Sequence, residues 1–131
     1  MRNQEKFRLD EFFSALADRT RLRLLNLMRD GEVCVCFFAE TLGTNNPKIS
    51  RHLAYLKRAG LVTSRRDGKW MHYSLTKPAN AQAAEILETL FKTLQNDEQM
   101  KADRRNLINV CCAPREAVPV TIARLRESVS T

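Results

Sequence analysis

One stretch of this chain has both ends of a helix written into it. Asn46-Pro47 offers a capping side chain followed by proline, whose fixed φ suits the first helical position. Ile49, Leu53 and Leu56 then recur at spacings of four and three, the stripe of one helix face. Gly60 stands where a C′ residue is wanted, and Leu61 follows to pack just beyond it. The spacing predicts a helix over 47–59, buried along one side and polar along the other.

Its neighbours complete a motif. Val35, Phe38, Ala39 and Leu42 share a side of a short helix over 35–42 that Gly43 closes, and two helices joined by so few residues form a helix-turn-helix. Upstream, Leu9, Phe12, Phe13 and Leu16 make one apolar helix face. Asp18 then caps a second helix carrying Leu22, Leu24, Leu25, Leu27 and Met28, which Asp30-Gly31 ends. Downstream, Leu61–Thr63 and Trp70–Leu75 alternate as short strands around an Asp67-Gly68 turn. A basic-tipped hairpin after a helix-turn-helix is a wing. After Lys77-Pro78 comes a long helix with Ala83, Ala84, Ile86, Leu87, Leu90, Phe91 and Leu94 on a wide apolar face. Beyond Gln95 the pattern weakens. Residues 100–109 can extend a helix, but Pro114 and Pro119 interrupt the chain. The expected division is a domain over 1–95 and a tail over 96–131. The expected fold class is mainly α with a small β-hairpin, a winged helix-turn-helix.

Charge says what such a motif meets. Residues 44–77 hold eight basic residues against Asp67 alone, which equals the net charge of the whole chain, +7. A basic run is often just a solvated face. Confinement to this one window points instead to phosphate neutralisation. Helix 47–59 presents Lys48, Ser50, Arg51 and His52 for base edges or phosphates in a major groove, and the hairpin presents Arg65, Arg66 and Lys69 for the adjacent backbone or minor groove. Double-stranded DNA is the expected partner. With 44% hydrophobic and 28% charged residues the chain has a folded composition. Its apolar runs are too short for a membrane span, and Met1 to Lys6 has no apolar run behind it, so a cytoplasmic location is expected. In a reducing compartment, four cysteines point to ligation or redox chemistry rather than to disulfide staples.

Three segments carry a resemblance. The run from Asn46 to Val62 resembles the recognition helix of the ArsR/SmtB winged-helix repressors. Asp67 to Leu75 is similar to their wing, and Leu16 to Leu25 to the helix before their motif. The resemblance covers roughly residues 10–95. It implies a homodimeric repressor, dimerised through its first and last helices, that leaves operator DNA when it binds a metal or metalloid.

The segment Glu32-Val33-Cys34-Val35-Cys36-Phe37-Phe38-Ala39 is similar to that family's metal-binding segment. The arsenite-responsive pattern has a third cysteine where Ala39 stands here, so the local set is one sulfur short. Cys111 and Cys112 are the other thiols of the chain, and Pro114 is expected to keep them out of a regular helix. Cys34 and Cys36 can chelate one ion together only if Cys34 precedes the first full helical turn, because residues two apart within a helix diverge. Cys36 would then sit at the positive end of the helix dipole, which favours the thiolate. The candidate metal ligands are therefore Cys34, Cys36, Cys111 and Cys112. An all-sulfur set selects soft ions: arsenite or antimonite first, cadmium or lead as alternatives. The zinc-sensing branch of the family places His and carboxylates on the last long helix. Here the two histidines, His52 and His72, both lie in the basic window. A thiol-redox switch of the same fold is a further alternative. An arsenate reductase is a distant one: no phosphate loop or nucleophile elbow accompanies the cysteines, so no enzyme activity is expected.

Overall fold

The computed structural model describes residues 7–112. Six helices and three strands run in the order α1 (Leu9–Leu16), α2 (Arg19–Leu27), β1 (Val33–Cys34), α3 (Val35–Leu42), α4 (Asn46–Arg58), β2 (Val62–Asp67), β3 (Trp70–Leu75), α5 (Ala81–Leu94) and α6 (Glu98–Cys112). The strands form one antiparallel sheet in the order β1-β3-β2. This is the winged helix-turn-helix that the residue pattern predicts.

The core forms where the apolar stripes converge. Leu24 and Leu25 of α2, Phe37 and Phe38 of α3, and Ile49, Leu53 and Leu56 of α4 are all fully buried. Burial of each such side chain contributes about 1.5–3 kcal/mol. Helix α2 starts on Asp18, whose carboxylate accepts from the Arg21 backbone N–H at 3.1 Å. Gly43 closes α3 at φ +71, and Gly60 follows α4 at φ +81, both conformations that glycine adopts without penalty.

Four details depart from expectation. Helix α4 is capped one residue early: the Asn45 side chain accepts from Lys48 N–H at 3.0 Å, which makes Asn46 the first helical residue. Both asparagines can cap, and proline fits either of the first two helical positions because their N–H groups have no intrahelical partner. The hairpin turn is also shifted by one. Asp67 pairs with Trp70, so the two loop residues are Gly68 and Lys69, and Gly68 takes φ +65 as the first of them. A two-residue hairpin with glycine first suits the twist of the flanking strands. The third strand, β1, was not expected: two residues of a β-branched stretch add to the free edge of β3.

The fourth departure is the largest. The tail expected beyond residue 95 begins with a packed helix. Asp97 caps α6 by accepting from Gln99 and Met100 N–H at 2.9 and 3.2 Å. Met100 and Leu107 are buried, and α6 packs against both α2 and α3. Asp103, fully buried, accepts from Arg23 Nε and a terminal nitrogen at 2.7 and 2.9 Å. Buried Asn26 donates to the Met100 carbonyl at 3.1 Å, and Arg104 pairs with Asp30. The helix continues through Cys111 and Cys112, so Pro114 does not exclude them. A proline is common shortly after a helix end and does not disturb the helix before it. The side chains of Cys111 and Cys112, and residues 113–131 with Pro114 and Pro119, lie outside the described part.

Candidate nucleic-acid interface and cysteine pair

Burying Ile49, Leu53 and Leu56 turns the opposite side of α4 outward. Lys48, Ser50 and Arg51 are exposed there, and His52 is half-buried beside them. Thr20 and Arg23 of α2 and Thr44 of the turn line a cleft of about 330 Å³ together with Lys48, Arg51 and His52. Helix α2, the turn and α4 thus converge on one basic recess.

A fixed arginine underlies this surface. Arg21 donates to the Ala15 and Ser14 carbonyls at 2.9 and 3.0 Å, and its guanidinium lies 4.1 Å from the centre of the Tyr55 ring. It also sits 3.3 Å from His52 Nδ1. Because a guanidinium has no acceptor, that nitrogen accepts, and a neutral His52 carries its proton on Nε2. Arg21 therefore ties α1, α2 and α4 together. Its role was not evident from sequence, where it is one of several arginines in an amphipathic helix.

The wing follows directly. Lys57 at the end of α4 donates to Ser64 Oγ at 2.8 Å, which fixes strand β2 against the helix. Arg66 and Lys69 are exposed, and the Lys69 ammonium lies 5.3 Å from the centre of the Trp70 ring at the hairpin tip. Arg65 differs from them. Its guanidinium donates twice to Glu32, at 2.6 and 2.8 Å, and this hydrogen-bonded carboxylate raises its already high pKa. So α4 and the wing bring all seven sequence-predicted DNA contacts onto two adjoining elements, with Arg65 already engaged.

The cysteines meet at the first helix of the motif. Cys34 ends β1 and is the N-cap of α3, in extended conformation, while Cys36 lies in the first turn. That change of backbone brings Cys34 Sγ to 3.3 Å from Cys36 Sγ. Four thiolates around a tetrahedral ion with bonds of about 2.3 Å would stand about 3.8 Å apart, so the pair is close to chelating distance. Cys34 is buried and Cys36 half-buried, so Cys36 is the more accessible of the two. Ala39, at the position of the missing sulfur, is buried in the same helix. Among the described residues no group of three or more His, Cys, Asp and Glu side chains is placed to hold a metal ion. Across β3, His72 stands opposite Cys34, almost fully buried, with neither ring nitrogen hydrogen-bonded.

The description of the bacterial regulatory proteins of the arsR family matches residues 18–64, which span α2, α3 and α4. The arsenical resistance operon repressor of Escherichia coli is 41% identical over 104 residues, covering 79% of this chain and 87% of the repressor. This chain belongs to the ArsR family. It is a winged helix-turn-helix transcriptional regulator. An arsenic resistance transcriptional regulator of Pseudomonas putida is 39% identical over 94 residues, 71% of this chain and 79% of its own. Among solved structures, the repressor BigR of Xylella fastidiosa superposes with a TM-score of 0.58 at 27% identity, over 69% of this chain and 86% of BigR. A homodimeric winged helix-turn-helix DNA-binding domain of Mycobacterium bovis superposes at 0.55 and 30% identity, over 71% and 82%. No helix of the described residues is long and apolar enough to cross a membrane.

Proposed function

We propose that this ArsR-family chain is a repressor that binds operator DNA as a homodimer and releases it when its cysteines bind trivalent arsenic or antimony. The observation that carries the reading is the Cys34–Cys36 pair, 3.3 Å apart at the start of the first motif helix. An ion held there pulls on the helix that positions α4. Release follows if the ion binds the DNA-free conformation more tightly. The names of the Escherichia coli and Pseudomonas putida relatives favour arsenic over cadmium or lead.

DNA contact is assigned to Lys48, Ser50, Arg51 and His52 of α4 and to Arg65, Arg66 and Lys69 of the wing. Dimerisation is assigned to α1 and α5. Phe7, Leu9 and Phe13 stay 37%, 53% and 46% exposed on the single chain, and Ile86, Leu90 and Phe91 of α5 are half-buried. Apolar side chains grouped this way on a small regulator suit a twofold contact. Pyramidal arsenic takes three thiolates and the α3 pair supplies two, so Cys111 or Cys112 completes the set. Packing of α6 on α3 supports completion within one protomer. The reading is of stoichiometric binding in the cytoplasm, without turnover.

The test is operator release followed by fluorescence anisotropy, with arsenite, antimonite, methylarsenite, cadmium and lead under strong reductant. Arsenite or antimonite acting at the lowest concentration is the expected result. Release by cadmium or lead alone would reassign the ligand. Replacing Cys111 and Cys112 together with Ser should leave operator affinity intact and abolish release. Full induction of that variant would make those thiols spectators.

A further inference from the structure

The bond between Glu32 and Arg65 joins the two halves of the proposed mechanism. Arg65 is on the wing, in the basic surface assigned to DNA. Glu32 stands two residues before Cys34, just ahead of β1. Strand register reinforces the link: Cys34 pairs with His72, and His72 pairs on its other side with Arg65. A row of paired residues thus runs across the sheet from the cysteine segment to the wing, and the Glu32 carboxylate reaches the same arginine directly. The bond is bidentate, at 2.6 and 2.8 Å, a planar geometry that fixes the guanidinium in direction as well as place. A DNA phosphate would use the same two N–H groups.

Exposure makes this a competition. The Arg65 side chain is 51% exposed and that of Glu32 23%. A pair so open to water is weak enough for a phosphate to displace the carboxylate. We propose that Glu32 is a positioning residue of regulated DNA binding: it competes with operator phosphate for Arg65, and it carries the state of the cysteine pair to the wing. An ion that draws Cys34 and Cys36 around itself fixes the strand Glu32 leads into. The carboxylate then holds Arg65 more firmly, and one phosphate contact is lost. The inference rests on the operator-binding reading above and adds a route by which the ligand reaches DNA.

The experiment uses the full chain and a DNA duplex selected by the wild-type protein from a random pool. Affinity is measured against salt for wild type, Glu32→Gln, Arg65→Gln and the double variant, without ligand. In Glu32→Gln, removing the Glu32 carboxylate from Arg65, which keeps a longer contact with Asp67 at 3.9 Å, should tighten binding about two- to fivefold for each protomer, the range an exposed ion pair commands. It should also steepen the log–log salt slope, by up to about one unit for each protomer, in proportion to how far the carboxylate still holds Arg65 in the wild-type complex. In the Arg65→Gln background the same change should do nothing. Glu32→Asp, which keeps the charge, should restore the wild-type slope. An unchanged slope in Glu32→Gln, or an equal change with and without Arg65, would overturn the proposal, the second because it reports bulk charge only. Arsenite is then added: the ratio of affinities without and with arsenite should shrink in Glu32→Gln, and an unchanged ratio would overturn the link to the cysteines. If Arg65→Gln itself leaves affinity and slope untouched, the assignment of the wing to DNA fails instead, a separate result.

Discussion

Replacing Asp103 with Ala tests whether α6 belongs to the folded domain. The Asp103 carboxylate is fully buried and takes three donors: two from Arg23 at 2.7 and 2.9 Å, and Gln99 Nε2 at 3.0 Å. Removing one partner of a buried ion pair costs about 3–5 kcal/mol, because the other charge is left unpaired away from water. Arg23 keeps 21% of its side chain exposed, so its head can recover hydration. That moves the expected loss to about 2–3 kcal/mol. Met100, Leu107 and the Asn26 bond to the Met100 carbonyl remain, so α6 should stay docked. The assay is urea unfolding at one fixed protomer concentration, since a dimer's stability depends on concentration. The midpoint should fall without a change in slope. In a double-mutant cycle with Arg23→Ala, a coupling of about 1.5 kcal/mol or more is expected. A loss below about 0.5 kcal/mol, the ordinary range for surface substitutions, or full additivity with Arg23→Ala, would refute the docking of α6 on α2.

Arg51→Ala should weaken operator binding. A base-selective loss of about 1–3 kcal/mol marks a guanine-edge contact, whereas a flatter salt dependence marks a phosphate contact. No change in either would take α4 out of the interface. Placing a charge in the exposed α1 patch by Phe13→Glu should give a monomer at micromolar concentration by sedimentation and impair operator binding. A stable dimer would move the interface elsewhere. Asp97 is held below the usual carboxylate range, chiefly by its bond from Arg19. Its contribution is therefore present above the ordinary aspartate pKa and lost as pH falls through the lowered one. Wild type and Asp97→Asn should differ in urea midpoint at neutral pH and converge in acid, and a difference that grows in acid would contradict that sign.

Much of the DNA-binding half was legible because its physics is local. Helix α4 was predicted within one residue at each end, since its cap, proline, apolar stripe and closing glycine lie inside one short window. Strand β3 followed from alternation over Trp70–Leu75, whereas β2, read as Leu61–Thr63, runs on to Asp67 because it pairs with β3 along its whole length. What escaped was long-range. Strand β1 is two residues long and exists because β3 offers an edge. Helix α6 has a thin apolar stripe, Met100 and Leu107 with Asp103 between them, and Asp103 is buried only because Arg23, distant in sequence, neutralises it. The Cys34–Cys36 geometry was legible as a condition, that Cys34 precede the first turn, and the structure meets it. Glu32 carried no signal of its own until the sheet brought Arg65, distant in sequence, within reach of its carboxylate.

The central claim is that the α3 thiols couple ligand to DNA. It is tested most directly by arsenite titration of the operator complex with wild type and with Cys34 and Cys36 both changed to Ser. Serine keeps the size but removes the soft ligands. Both proteins should bind the operator with equal affinity before arsenite is added, because neither residue lies in the basic surface. Wild type should then release its DNA at stoichiometric arsenite, while the variant stays bound throughout. Release of the variant at the wild-type concentration would contradict the account.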